Sequence, residues 1–287
     1  MKKIVTMVVV TVLALLTAAL PGGAQNSGGQ ASLDDKELSG YAGESRKVLT
    51  KELMDQLLSV MDDFKAAGAS FQPSLLVPVE KAGSYKSDGA LRVMNSLYYI
   101  DSIYAIIFKK NQIAEEYLKI GDDLYEKIIR RTCPEAAINP SAGTGKLLRA
   151  MNEYSFAEIR RDLADDLFKE NEELMKSTAG AVLLADSTYG AIIESFHLST
   201  QAVLISDGEE EMIKLINRQL SVTAKMMEFF NIFKKSPAYS KLVGLDERRE
   251  VIDHLTGLAA KEHISLEDVK GLNSLIAPVR EKMINTY

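Results

Sequence analysis

The 287-residue chain has no tryptophan and a single cysteine, Cys133. One thiol closes no intramolecular disulfide, so the fold is not a disulfide scaffold. The three histidines, His197, His254 and His263, form no His-Glu-x-x-His pair, which removes a zinc protease. Basic residues are in deficit, 34 Lys+Arg against 40 Asp+Glu, and a formal charge of -6 gives a nucleic-acid partner no electrostatic footing. After the N-terminus no uncharged apolar run reaches the ~18 residues that a membrane span needs. Nor does any stretch alternate apolar and polar residues for long enough to demand a sheet. What remains is ordinary globular material, 46% hydrophobic and 26% charged.

The N-terminus carries an address. Lys2 and Lys3 precede an apolar run from Ile4 to Leu20, and Pro21-Gly22-Gly23-Ala24 then offers small residues for cleavage before Gln25. Charge, length and ending are those of a secretory signal peptide over residues 1–24. The alternative, an uncleaved anchor, has a run at the short edge of spanning length. No cysteine follows the run, so lipidation is not expected. Losing Lys2 and Lys3 takes the net charge from -6 to -8. Residues 25–40, rich in Gly, Ser and Gln, read as a flexible leader. The expected product is periplasmic or secreted, with no transmembrane segment after cleavage.

Residues 41–287 read as one all-α domain, a bundle of about 7–9 helices. An amphipathic helix is expected over Glu44–Ala67, with Val48, Leu49, Leu53, Leu57, Val60, Met61 and Phe64 on its stripe and Gly68 at its end. Residues 68–86 form a long loop, either functional or packed as an irregular cover. Ala90–Phe108 and Ala179–Leu198 are apolar on nearly every face, so both helices are expected to be surrounded by others. Amphipathic helices follow each, over Gln112–Arg131 and Glu209–Lys234. Between these pairs, Cys133–Gly145 is a loop, Lys146–Asn152 a short helix or turn, and residues 155–177 a charged helix. Pro237 breaks the chain, and Ala238–His263 holds one or two helices around Gly244 and Gly257. The last helix opens on Ser265 with Asp268 three residues on, and Pro278 is expected to kink it.

The two all-apolar helices share a motif. Ile100-Asp101-Ser102-Ile103-Tyr104-Ala105 matches Ala185-Asp186-Ser187-Thr188-Tyr189-Gly190 at an offset of 85 residues. Thinner agreement continues at Ile120/Ile205, Asp122/Asp207 and Glu126/Glu211. The expectation is a duplication, about 90–131 and 179–234, of two helical units packed around a pseudo-twofold. Asp and Tyr three apart share a helix face, and an Asp in such surroundings needs hydrogen bonds or a proton. One reading is structural, with Asp101 and Asp186 bracing backbone or accepting from a tyrosine. The other is a central ligand cavity lined by Asp101, Tyr104, Asp186 and Tyr189, with Tyr98 nearby.

Other motifs lead nowhere specific. Gly143-Thr144-Gly145-Lys146 lacks the glycine spacing and the following Ser/Thr of a phosphate loop. Cys133 has no histidine placed beside it by the sequence. Glu194-Ser195-Phe196-His197 is a lone Glu-x-x-His, whose counterparts in the first unit are Lys109 and Gln112, so a two-metal carboxylate site is not expected. The acidic pairs, Asp34-Asp35 to Asp165-Asp166, lack calcium-loop spacing. No cofactor and no metal is implied.

The apolar-Asp-x-x-Tyr helix, followed by a helix containing Tyr117-Leu118, resembles a group of uncharacterised exported or lipid-anchored bacterial all-helical proteins. The likeness is carried mainly by Leu91–Tyr125 and thins toward Phe230. Two features of that group are missing: the lipoprotein cysteine, and a Gly-Gly-Trp stretch where this chain has Leu184-Ala185-Asp186. The resemblance implies an exported helical fold and no activity. The expected function is non-enzymatic binding of a small ligand or an envelope protein partner. The alternatives are an enzyme with a site assembled from dispersed carboxylates and tyrosines, and a purely structural envelope protein.

Overall fold

In the computed structural model, residues 48–134, 168–169 and 171–286 are described. The expected signal peptide over 1–24, the expected leader over 25–40, the Gly143–Lys146 segment, the expected short helix or turn over Lys146–Asn152 and most of the expected 155–177 helix lie outside them. The described residues form seven bounded α-helices and three 3-10 turns, residues 168–169 and 171–174 are helical as well, and no strand occurs among them. The helices are α1 (Lys51–Ala66), α2 (Asp88–Ile107), α3 (Asn111–Thr132), α4 (Thr178–Ile205), α5 (Glu210–Phe233), α6 (Leu245–Ala259) and α7 (Leu266–Thr286).

Most boundaries follow from caps. The Thr50 hydroxyl accepts from the Leu53 N–H and starts α1, so this helix begins later than its apolar stripe suggests. Gly68 ends it with φ +97°. Ser87 and Ser177 cap α2 and α4 in the same way, through the N–H groups of Ala90 and Gly180. Ser265 and Asp268 form a reciprocal box at the start of α7: the Ser265 hydroxyl accepts from the Asp268 N–H, and the Asp268 carboxylate accepts from the Ser265 N–H. Gly244, at φ +60°, precedes α6, which runs as one helix through Gly257. α7 likewise continues through Pro278.

α2 and α4 are the interior. Seventeen of the 20 residues in α2 are buried, and 21 of the 28 in α4, which leaves neither a polar face. They run parallel: Arg92, Ser96 and Asp101 of α2 meet Asp186, Gly190 and Glu194 of α4 in that order. Gly190 allows the approach, since a Cβ there would lie 2.4 Å from Ser96 Oγ and 2.8 Å from the Val93 carbonyl oxygen. α3 returns antiparallel along α2, with the Tyr99 ring seated over Gly121. α7 runs antiparallel to α4, joined by Asn273 Oδ1 to Thr200 and Gln201 at 3.1 and 3.0 Å. α5 carries α1 on one side, through Arg218 to Asp63 and Ser59, and α6 on the other.

The 68–86 loop is a packed cover. It holds the 3-10 turns Pro73–Leu75 and Val79–Ser84, and Val77 is fully buried.

Candidate functional site

Two polar clusters are built into the apolar interior, one around each repeated aspartate. Asp101 is fully buried, and its Oδ2 accepts from the Val77 N–H at 2.7 Å. Glu194, one turn along α4 from Gly190, is fully buried too and receives both Nε and Nη2 of Arg280 at 2.6 and 2.8 Å. The second Arg280 contact, Nη2 to the Leu75 carbonyl at 2.7 Å, ties α7 to the loop. Two carboxyl groups thus face a single guanidinium. Asp101 Oδ1 has no donor among the described residues. Burial, and then the Glu194 charge, push the Asp101 carboxyl well above the usual carboxylate range. Asp101 is therefore the group that keeps its proton. Burial works against the Arg280 charge, but Glu194 and Asp101 more than offset it and hold the guanidinium charged. His197, one turn beyond Glu194, is pushed down to about 4 by burial.

Around this cluster tyrosine hydroxyls take the loop backbone. Tyr98 donates to the Pro78 carbonyl at 2.9 Å, Tyr117 to that of Val77 at 2.7 Å, and Tyr104 to that of Ser70 at 3.1 Å. Tyr104 also accepts from the Gln72 N–H at 3.0 Å. Burial raises the pKa of each of the three hydroxyls. These bonds satisfy peptide groups that an irregular segment cannot pair within itself. Tyr104 stacks on Phe71 with centroids 5.1 Å apart and lines a cavity of about 20 Å³ with Phe64, Ser195, Leu198 and Gln219, room for one water.

The second cluster lies about two and a half turns toward the N-terminal end of α2. Asp186, also fully buried, accepts from Arg92 Nε at 2.8 Å, from Arg248 Nη2, and from the Val243 N–H at 3.4 Å. Arg248 is fully buried on α6; it donates to the carbonyls of Ala185 and Val243 and stacks on the Tyr189 ring at 4.2 Å. The two aspartates do matching local work. Each accepts the valine N–H of a Leu-Val pair, Leu76-Val77 or Leu242-Val243, that follows a 3-10 turn opened by a proline, Pro73 or Pro237.

The five residues singled out by the sequence therefore divide into two groups. Asp101, Tyr98 and Tyr104 hold the 68–86 loop, whereas Asp186 and Tyr189 hold Arg248. Asp101 and Asp186 have separate partners. The sequence reading did not single out Arg92, Arg248 or Arg280, each of which meets its carboxylate across 62 to 94 residues of chain. The lone Glu-x-x-His is broken up by Arg280, and among the described residues no group of acidic, histidine or cysteine side chains is arranged to hold a metal. Cys133 is a buried thiol, while His254 and His263 are exposed.

A cleft reaches the second cluster at Arg92. Its volume is about 370 Å³, and it is lined by Arg92, Thr132, Ser177, Thr178, Ala179, Val182 and Lys241. Arg92 forms its floor, 13% exposed, with Nη2 on the Lys241 carbonyl at 3.3 Å. The start of α4 faces it from one side, adding the partial positive charge of a helix N-terminus. No known protein family, curated protein or solved structure matches the chain.

Proposed function

We propose that the chain is an exported, non-enzymatic binding protein of the periplasm or cell exterior that takes a small ligand in the Arg92–Lys241 cleft. The cleft carries the reading. The interior is otherwise occupied by its own side chains, with Asp101, Glu194, Asp186 and Arg248 closed from solvent, whereas the cleft offers the charge of Arg92 and Lys241 and room in one place. Asp186 acts on it indirectly by positioning Arg92. Asp101, Tyr98, Tyr104 and Tyr189 serve the fold that shapes it. Export rests on the basic, apolar and small-residue order of residues 1–24. No helix among the described residues is long and apolar enough to cross a membrane. A small ligand is favoured over a protein partner because Ile205 is the sole large apolar residue standing well out among the described residues.

The test is mass spectrometry on the protein recovered from the cell envelope. A denatured mass starting at Gln25, with a larger native mass that returns to it on denaturation, supports the reading. Retention of residues 1–24 removes the cleaved signal peptide and leaves an anchored protein, and recovery of the protein from the cytoplasm alone removes the export half. A native mass equal to the denatured one, in protein that also takes up no ligand from an envelope extract, removes its binding half.

A further inference from the structure

We infer that the Arg92–Lys241 cleft binds the carboxylate or phosphate group of a small anionic molecule. This rests on the cleft being the binding site, and it specifies the ligand's charge.

The argument is one of charge. Arg92 and Arg248 converge on Asp186, so two guanidinium groups share one carboxylate. Both are withdrawn from water, Arg248 completely, and Lys241 adds a third positive charge at the rim. The acidic side chains near these elements are committed elsewhere: Asp88 to Arg131, Glu247 to Lys282 and Asp246 to Arg249. The surplus therefore has no internal counter-ion among the described residues. A buried surplus charge is costly unless an opposite charge reaches it. Arg248 Nε, buried and without an acceptor among the described residues, marks the same shortage of negative partners.

The cleft lies where a counter-ion would come. An oxyanion in it meets Arg92 from below, Lys241 at the rim, and the Ser177–Thr178 end of α4 at the side. Guanidinium and ammonium groups beside a helix N-terminus suit carboxylate and phosphate oxygens. The molecule as a whole is acidic, with 34 basic against 40 acidic residues, so this cation cluster is local and is not the overspill of a basic surface. Val182 and Ala179 on the same wall give the rest of the ligand an apolar contact.

The experiment is calorimetric titration of the purified full protein with inorganic phosphate and, separately, with citrate, at constant ionic strength in chloride. Wild type, Lys241→Ala, Lys241→Glu and Ala179→Trp are compared, each checked for an unchanged helical spectrum. Lys241 uses only its backbone in the fold, so its variants report on the cleft. Saturable binding of one anion, weakened about tenfold or more in Lys241→Ala and lost in Lys241→Glu, is the expected result. Which anion binds tells phosphate from carboxylate chemistry. Absence of saturation by both up to about 10 mM, or a Lys241→Ala titration identical to wild type, overturns the inference. A neutral adduct in the native mass spectrum that Ala179→Trp eliminates would overturn the anion while leaving the cleft as a binding site. Wild type that carries no native adduct and binds neither anion would remove both.

Discussion

Replacing Asp101 by Asn should change how stability depends on pH much more than it changes the fold. An amide fits the site: its oxygen can accept from the Val77 N–H, and its NH2 can donate toward Glu194, as the protonated carboxyl does. Because the pKa of Asp101 is raised in the folded protein, its contribution to stability is fully present below the ordinary carboxylate range. That contribution drains away as pH rises toward the raised value. The folded state holds one proton that the unfolded chain has lost, so wild type loses about 1.4 kcal/mol per pH unit relative to Asp101→Asn. With a urea dependence of about 3 kcal/mol/M, this shifts the unfolding midpoint by ~0.5 M per pH unit. His197 supplies an opposing slope. Its folded pKa is lowered to about 4, so stability is lost as pH falls from the ordinary histidine value of about 6.5 toward 4. Below the raised Asp101 value the two slopes oppose each other in wild type, and Asp101→Asn should tilt the curve upward with pH. The assay is urea unfolding followed by circular dichroism at half-unit pH steps, wild type against variant. The pH at which the difference curve levels off reads the Asp101 titration directly. Parallel midpoints for the two proteins from pH 5 to 8 would show that the folded protein carries no extra proton at Asp101, and the account of the cluster would be wrong.

Other perturbations have expected outcomes of their own. Glu194→Gln leaves Arg280 without its direct counter-ion, but Asp101 can ionise in its place; the loss should therefore be smaller than the ~3–5 kcal/mol of a broken buried pair, and should reach that range once Asp101→Asn is added. Equal losses in both backgrounds, measured by denaturant unfolding, would refute this exchange of roles. Gly190→Ala should destabilise by about 1–3 kcal/mol because its methyl meets backbone of α2, while Gly257→Ala, with open space around it, should stabilise by about 0.5–1 kcal/mol. Tyr117→Phe should cost about 1 kcal/mol and leave the α7 amides as protected from hydrogen exchange as before, with faster exchange confined to the loop it holds. Cys133 should react with a thiol reagent only as fast as the protein unfolds, so a rapid reaction in native buffer would place it at the surface.

The all-helical class was legible because it rests on local information. Apolar runs with no polar face marked α2 and α4 as interior, and Ser265 with Asp268 marked the start of α7. The break at Leu49–Thr50 was not foreseen because Val48 and Leu49 carry the apolar stripe across the Thr50 cap. Asp101 and Asp186 stood out as charges in apolar helices, and their need for partners was evident. The identity of those partners was not. Arg248 sits in an amphipathic helix between Glu247 and Arg249, where its sequence context is that of a solvated charge, and only the packing of α6 on α5 and α7 turns it inward. Arg280 is concealed in the same way beside Glu281. The lone Glu-x-x-His correctly drew the eye to Glu194, although its partner proved to be a guanidinium.

The pairing of Glu194 with Arg280 also sets an order of events for a chain synthesised from its N-terminus. When α4 emerges, Glu194 and Asp101 are two acids in an apolar helix pair with no cation to match them. The matching guanidinium arrives 86 residues later, near the end of the last helix. Until then the central helices can close only if Glu194 takes a proton as Asp101 does, and the loop carbonyl at Leu75 waits for the same side chain. The native interior is therefore completed only when the final helix is in place. A chain stopped short of Arg280 should remain open and vulnerable to proteases, however much of its helix has formed.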